Sequence, residues 1–397
     1  MSFATANRTS LWAAKESVWG TTPSNPAFKP LRYTGEQLDD NISTEKSKEI
    51  RSDRMVTDLI VVDSSPSGSF NFEMSASSFE DLIESALMST WSAQLNIAGV
   101  GGDISTVAAP TANLTSITAG KFTNVVVGQW LRLRGFTSAV NGYFQVTAKT
   151  DNQTLTVFPQ PGAAETPAGT AAKIDGSYIR NGVTETSYTL MKILNDATAV
   201  TRQVFTGMRV KGFSLDMQTG AILTGSFNFV GKSGSWTEST FAGETFAAAT
   251  TTEVMNCVTN IKNIVQDGSA MGGPGSIMQL SMEFDNQHRE QKGIGVLGNV
   301  GVVGGTLMVN CSASQYFESK AQADKFKNST AFAFSYRIED KDENSYIITL
   351  PRCKYESFVV NSSQLDSDVM AETQFTALRD PTTNCMIQVD RFADYTP

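Results

Sequence analysis

The sequence predicts a mainly β protein with a few helices, an α+β chain made of two copies of one strand–helix–hairpin domain with a small all-β module inserted into the first copy. Three observations carry this reading. The stretch 67–79, Ser-Gly-Ser-Phe-Asn-Phe-Glu-Met-Ser-Ala-Ser-Ser-Phe, lies over 304–316, Gly-Gly-Thr-Leu-Met-Val-Asn-Cys-Ser-Ala-Ser-Gln-Tyr. A second pair follows in the same order, 204–211 over 347–354, and then 227–230 over 375–378. The gap between the two blocks is longer in the first copy by about the length of 95–182, a stretch with its own composition, rich in Thr, Ala and Gly.

Each element has a local reason. Phe70, Phe72 and Met74 alternate along the first strand, as Leu307, Val309 and Cys311 do in the copy, so one face is apolar. Asn71 and Glu73 then point the other way, with Met308 and Asn310 as their counterparts. A helix follows, in which Phe79, Leu82, Ile83, Ala86 and Leu87 form one stripe and Ser77 and Glu80 have capping-box spacing. The corresponding second helix is expected over 316–326, with a more polar surface. Inside the insert, 122–127, 130–134, 143–146 and 154–158 read as strands separated by turns such as Asn141-Gly142 and Asp151-Asn152, which suits a small barrel or sandwich. Its flanks, 99–102 and 161–169, read as hinges of an outward-facing module that the domain can do without. The expected organisation is a first domain from 1–94 and 183–232, the module 95–182, a linker or loop segment 233–275, and a second domain 276–397.

Composition narrows the function. With 397 residues, 40% hydrophobic and 18% charged, the chain is globular and long enough for two or three domains. Lys+Arg 31 against Asp+Glu 40 leaves −9, which argues against a surface that holds DNA or membrane by basic charge. No apolar run reaches the ~18 residues of a membrane-spanning helix. The first residues carry Lys15 and Glu16 where a signal peptide would have its apolar core, so a reducing cytosol is the expected compartment. Cys257, Cys311, Cys353 and Cys385 are far apart without C-x-x-C spacing and read as small core hydrophobes rather than as a metal knuckle or a disulfide framework.

Motifs that suggest chemistry lack its context. The stretch 293–298, Gly-Ile-Gly-Val-Leu-Gly, matches G-x-G-x-x-G, but a Gly-rich segment and then a strand follow it where a dinucleotide site needs a helix. The stretch 225–233 resembles a phosphate loop, yet has one residue too many between its glycines and a strand in the middle, whose amides alternate in direction. The single histidine, His288, sits in a polar stretch, which excludes two-histidine mechanisms and most zinc sites. No catalytic residue, cofactor site or metal site is expected.

Two stretches also resemble a known family. Phe28-Lys-Pro-Leu-Arg-Tyr-Thr-Gly, continuing through Ser47-Lys-Glu-Ile-Arg-Ser-Asp-Arg to the strand and helix of 67–87, is one. The other runs from Asp285-Asn-Gln-His-Arg-Glu-Gln through Thr349-Leu-Pro-Arg-Cys-Lys to Phe375-Thr-Ala-Leu-Arg-Asp-Pro and Asp390-Arg-Phe. Together they resemble the tail tube, or major tail, proteins of long-tailed bacteriophages. The resemblance implies β-sandwich domains, each with one flanking helix, whose sheets join edge to edge in rings that stack into a hollow tube. Single-domain members form six-membered rings, so two copies per chain imply a homotrimeric pseudo-hexamer. Implied partners are further copies of the chain, tail terminator and tail-tip proteins, a tape measure protein in the lumen, and duplex DNA that passes without specific binding during ejection. The implied location is the virion tail, assembled in the host cytoplasm, with a non-contractile tail favoured. Within this frame Glu49, Arg51, Asp53 and Arg54, in a charged loop over 40–58, are expected to reach the neighbouring ring. Asn71, Glu73, Met308 and Asn310 are expected to face the lumen. Two other classes compete: an enzyme built on the glycine motif or the lone histidine, and a tail-tip, distal-tail or adhesin-like protein whose insert binds a receptor.

Overall fold

The computed structural model describes residues 4–108, 111–168, 171–195, 200–271, 275–362 and 365–393. It is mainly β, with two short α-helices among the described residues. Two compact units emerge: Met1–Met88 with Val183–Met255 and Ser281–Val309, and Ser89–Gly182 with Asn256–Leu280 and Asn310–Pro397.

The first unit is organised by one long strand, Thr201–Gln218. Its first half pairs with Tyr188–Leu194 on one side and with Ser233–Thr237 on the other. Its second half pairs with Thr224–Val230, which pairs in turn with Ser67–Glu73. Thr9–Lys15 extends the first sheet beyond Tyr188–Leu194. A strand can serve two sheets only if it bends, and register shifts opposite 188–190 and between Val210 and Gly212 supply the bend. Gly207 sits within the first irregularity at φ +68°, where a Cβ would come within 2.8 Å of the Lys232 side chain and 2.9 Å of the Trp19 indole.

The expected alternation holds here. Phe70, Phe72 and Met74 are buried, and Phe72 meets Phe79 at 4.3 Å and Phe227 at 5.1 Å between ring centroids. Helix α1 (Glu80–Leu87) buries Leu82, Ile83, Ala86 and Leu87 and lies against the long strand. Its capping differs from expectation. Phe79 occupies the cap position without a side-chain cap bond, while Ser77, at φ +60°, belongs to the preceding turn.

The second unit repeats this order. The long strand Ser345–Asn361 pairs through its first half with Phe332–Glu339 and Gln388–Phe392. Its second half pairs with Met370–Ala377, which pairs with residues 310–316 of Met308–Tyr316. Ile261–Gln266 takes the outer place beside Phe332–Glu339. Helix α2 spans Ala321–Lys327, later than expected because Tyr316 still belongs to the preceding strand. The identical Ser-Ala-Ser triplets are not equivalent: residues 75–77 follow the strand Ser67–Glu73, whereas 312–314 lie inside Met308–Tyr316. When the shared bulges of the long strands are set level, Phe227 opposite Phe70 matches Thr373 opposite Ala313. The slip is by an even number of residues, so the apolar faces still coincide.

The segment 233–275 carries strands rather than a plain linker: Ser233–Thr237, Thr245–Phe246, Ile261–Gln266 and Ser269–Ala270. The inserted module is an antiparallel arrangement in which Lys173–Arg180 pairs with Leu95–Ala98 and Trp130–Arg134. The ladder continues through Gly142–Lys149, Thr154–Phe158, Asn113–Ser116 and Ile104–Val107. Its core includes Leu114, Leu131, Phe144, Val146, Leu155 and Ile174. The stretch 122–127 is irregular instead of a strand, although Phe122 and Val125 point into this core.

The module also differs from a hinged arm. Residues 173–176 belong to its own sheet, while 177–180 of the same strand pair with Gln388–Phe392. Gly176 marks the change at φ +151°, where a Cβ would stand 3.0 Å from both the Trp130 carbonyl and the Phe392 ring. A buried polar network closes the seam. Asp390 accepts hydrogen bonds from the Trp130 amide (3.0 Å) and Gln388 Nε2 (2.6 Å). Trp130 Nε1 donates to Thr349 Oγ1 at 2.9 Å, and Arg132 donates to Asp175, the Glu343 carbonyl and the Ala393 carbonyl. Gly169, at the edge of the second expected hinge, lies outside the described residues.

Candidate functional site

The most exposed part of the first unit is a projecting hairpin, 43–63. Among the described residues Ser43–Lys46 and Leu59–Asp63 pair only with each other, and all of 41–62 except Ser47 is exposed. A lone two-stranded hairpin is marginal in water. This one is also apolar along one strand: Leu59, Ile60, Val61 and Val62 are all exposed, and Ile50, Met55 and Val56 join them nearer the tip. Leu59 and Val61 face one side of the ribbon and Ile60 and Val62 the other, so both faces of the hairpin expose apolar side chains.

The four charged residues expected here fall in the tip. Arg51 grips Asp53 with Nε to Oδ1 at 3.0 Å and a terminal nitrogen to Oδ2 at 2.6 Å. That contact and the Met55 amide hold the Asp53 carboxyl below its ordinary range. Glu49 accepts a hydrogen bond from Thr57 Oγ1 at 3.0 Å, and Arg54 turns the chain at φ +59°. The tip is thus pre-ordered locally. Sequence reasoning found these charges but missed the apolar strand beside them. The run Leu-Ile-Val-Val at 59–62, without alternation next to a charged loop, was the available signal.

A second, shorter hairpin of the same unit pairs Arg289–Gln291 with Gly301–Val303. The G-x-G-x-x-G motif forms its tip, with Ile294, Val296 and Leu297 exposed. The roots of the two hairpins are tied together. Lys292 Nζ lies 2.8 Å from Asp63 Oδ1 and donates to the Ser64 carbonyl at 3.1 Å, while Ser65 Oγ donates to Glu290 at 2.7 Å. The Lys292 contact holds Asp63 below its ordinary pKa.

The residues expected on the non-core sheet faces lie as follows. Asn71 is exposed and Glu73 half-buried, opposite Ser226 and Thr224, and beyond these come Ser214 and Asp216. In the second copy Met308 is exposed, and Asn310 is half-buried and accepts from Thr376 Oγ1 at 3.0 Å. By register Ser314 and Tyr316 are the nearer counterparts of Asn71 and Glu73, and Ser314 donates to Glu372 at 2.7 Å. The first face is thus a hydroxyl, amide and carboxylate surface, while the second adds Lys354, in register with Thr376 and Asn310, and the exposed Met308 and Val359.

Nothing in the remaining motifs assembles chemistry. The 225–233 stretch contains the strand Thr224–Val230. His288 is half-buried, and burial together with the Arg209 charge lowers its pKa to about 4, so it is neutral at pH 7. Cys311, Cys353 and Cys385 are buried thiols whose pKa burial raises. Among the described residues no group of three or more His, Cys, Asp or Glu is placed to hold a metal, and no helix is long and apolar enough to cross a membrane.

No curated protein matches the sequence. The family model described as phage tail tube protein matches residues 6–377, nearly the whole chain. A β-rich chain with exposed hairpins fits that match, and the chain belongs to the phage tail tube protein family, a structural component of the virion tail and not an enzyme.

Proposed function

We propose that three copies of this chain close into a pseudo-hexameric ring, and that rings stack into a hollow tube through which duplex DNA passes during ejection. The observation that carries this is the recurrence of one strand order in both units, so that three chains would present six equivalent domains. In this reading Glu49, Arg51, Asp53 and Arg54 meet the adjacent ring, with the apolar strand Leu59–Asp63 covered on stacking. The non-core sheet faces, with Asn71, Glu73, Met308 and Asn310, line the lumen. Duplex DNA carries one phosphate per roughly 1.7 Å of axis, and a wall in which hydroxyl, amide and carboxylate groups outnumber cations such as Lys354 gives it little to bind. Tail terminator, tail-tip and tape measure proteins would meet the tube ends and lumen, with assembly in the host cytoplasm.

Electron microscopy of the purified protein tests the reading: hollow polymers of uniform diameter with threefold rings are expected, and particles that never polymerise would overturn it. Reversing Arg51 and Arg54 together to Glu should leave a folded chain, shifted in stability by less than about 0.5 kcal/mol, that no longer stacks. Normal tubes from that variant would remove the tip from the inter-ring contact. Glu73→Lys should permit assembly and slow DNA ejection most at low salt; normal ejection there would place Glu73 elsewhere.

A further inference from the structure

The dipeptide Asn-Gly occurs twice, at 141–142 and 181–182, and the fold treats the two oppositely. In such a pair the glycine nitrogen can attack the side-chain carbonyl before it, because no Cβ hinders the approach and the backbone turns freely. Asn141 is secured against this. Its Oδ1 accepts from the Phe136 amide at 2.9 Å, its Nδ2 donates to the Phe136 carbonyl at 2.8 Å, and its own amide donates to the Thr137 carbonyl at 2.9 Å. Gly142 then opens the strand Gly142–Lys149 and stands opposite Leu133 in the ladder.

At Asn181 the chain leaves its ladder instead. Strand pairing stops at Arg180, opposite Gln388. The Asn181 amide still donates to the Ile387 carbonyl at 3.3 Å, but the return bonds go to the side chain. The amides of Met386 and Ile387 donate to Asn181 Oδ1 at 2.8 and 3.2 Å, so the side-chain carbonyl stands in for the main-chain one. Gly182 is exposed, and among the described residues no ladder or turn hydrogen bond holds its amide. Three parts of a reaction therefore meet here: a loosely held nitrogen, a side-chain carbonyl, and two N–H groups aimed at the oxygen on which charge would develop.

We infer that Asn181 is a self-modification site, whose side-chain amide is converted to a carboxylate. The Gly182 nitrogen bonds to Asn181 Cγ as it loses its proton, the Cγ–Nδ2 bond breaks, and ammonia leaves from a closed five-membered imide. Water then opens the ring at either carbonyl, giving aspartate or isoaspartate, with no oxidant or reductant required. Either product adds a negative charge just past the strand Lys173–Arg180, and isoaspartate also lengthens the main chain by one methylene.

Peptide mapping by mass spectrometry tests this on the full-length protein, aged at mildly alkaline pH either folded or in guanidinium chloride. The unfolded chain keeps both dipeptides and loses both settings, so there the two asparagines should convert at similar rates. In the folded protein Asn181 should convert about tenfold faster than it does unfolded, since hydrogen bonds to an oxygen strengthen as it becomes charged, while Asn141 should slow. Gly182→Ala should slow conversion at Asn181 and leave Asn141 unchanged. Folded protein in which Asn181 converts no faster than in the unfolded chain would overturn the inference, even if Asn141 were slower still. Undiminished conversion at Asn181 in Gly182→Ala would overturn it as well.

Discussion

The two units solve one packing problem with volume placed on different strands. In the first, Phe70 and Phe72 fill the space between sheet and helix, and Phe72 is accommodated because Gly225 lies opposite it. A Cβ on Gly225 would come within 2.6 Å of the Phe72 ring and 2.3 Å of the Ser214 carbonyl. In the second, the same places hold Ala313 and Gln315, and Ala371 stands where the glycine was. There the bulk comes from Phe332, Tyr336, Tyr355 and Phe375 on neighbouring strands, with Phe334 and Phe375 at 5.0 Å. Register and bulges are kept while side-chain volume migrates between strands. A β fold of this kind is specified by which face is apolar and where the strand bends, more than by which residue supplies the bulk.

The largest expected effect breaks the comparison at its most loaded point. Phe72→Ala should destabilise the protein by about 3–5 kcal/mol in denaturant unfolding, since a buried ring leaves a cavity. Ala313→Gly, at the place equivalent to the neighbouring Phe70, should cost only about 1 kcal/mol, and equal losses would contradict the redistribution of volume. Next comes the glycine: Gly225→Ala should cost about 1–3 kcal/mol by overpacking against Phe72. Combining it with Phe72→Leu should recover part of that loss; strict additivity would mean that the two positions do not share the space.

A different kind of test, read against pH, concerns the seam of the second unit. Burial raises the Asp390 carboxyl from 3.8 to about 8, against the lowering influence of Gln388, the Trp130 amide and Arg180. The native state thus keeps a proton that the unfolded chain releases, and the protein should lose stability as pH rises between these two values. Asp390→Asn should flatten that slope in thermal melts taken across the same range. An unchanged slope would mean that another group carries it.

Much of this was legible in the residues, and the failures share a cause. Alternation of Phe70, Phe72 and Met74, the α1 stripe and the module strands near 130, 143 and 154 were readable because periodicity is a local property. The charged tip was readable because charge in a loop stays at a surface. Pairing partners were not. Parity decides which face a residue takes, yet identical triplets at 75–77 and 312–314 drew the copies into a register that strand ends do not share. The segment 122–127 looked like a strand because its apolar residues are core residues, held there by an irregular chain. Nothing local announced that 177–180 would pair with 388–392. Composition marked the module as foreign, and its covalent flanks pointed to the first copy, while its hydrogen bonds went to the second.

That shared strand has a mechanical meaning. Because residues 173–180 run without interruption from the module sheet into the ladder with Gln388–Phe392, the module has no free joint at this point. A force pulling along the strand loads its hydrogen bonds side by side, in shear, so they must yield together. A load prising the strand sideways opens them one after another. The attachment is therefore strong along one direction and weak across it.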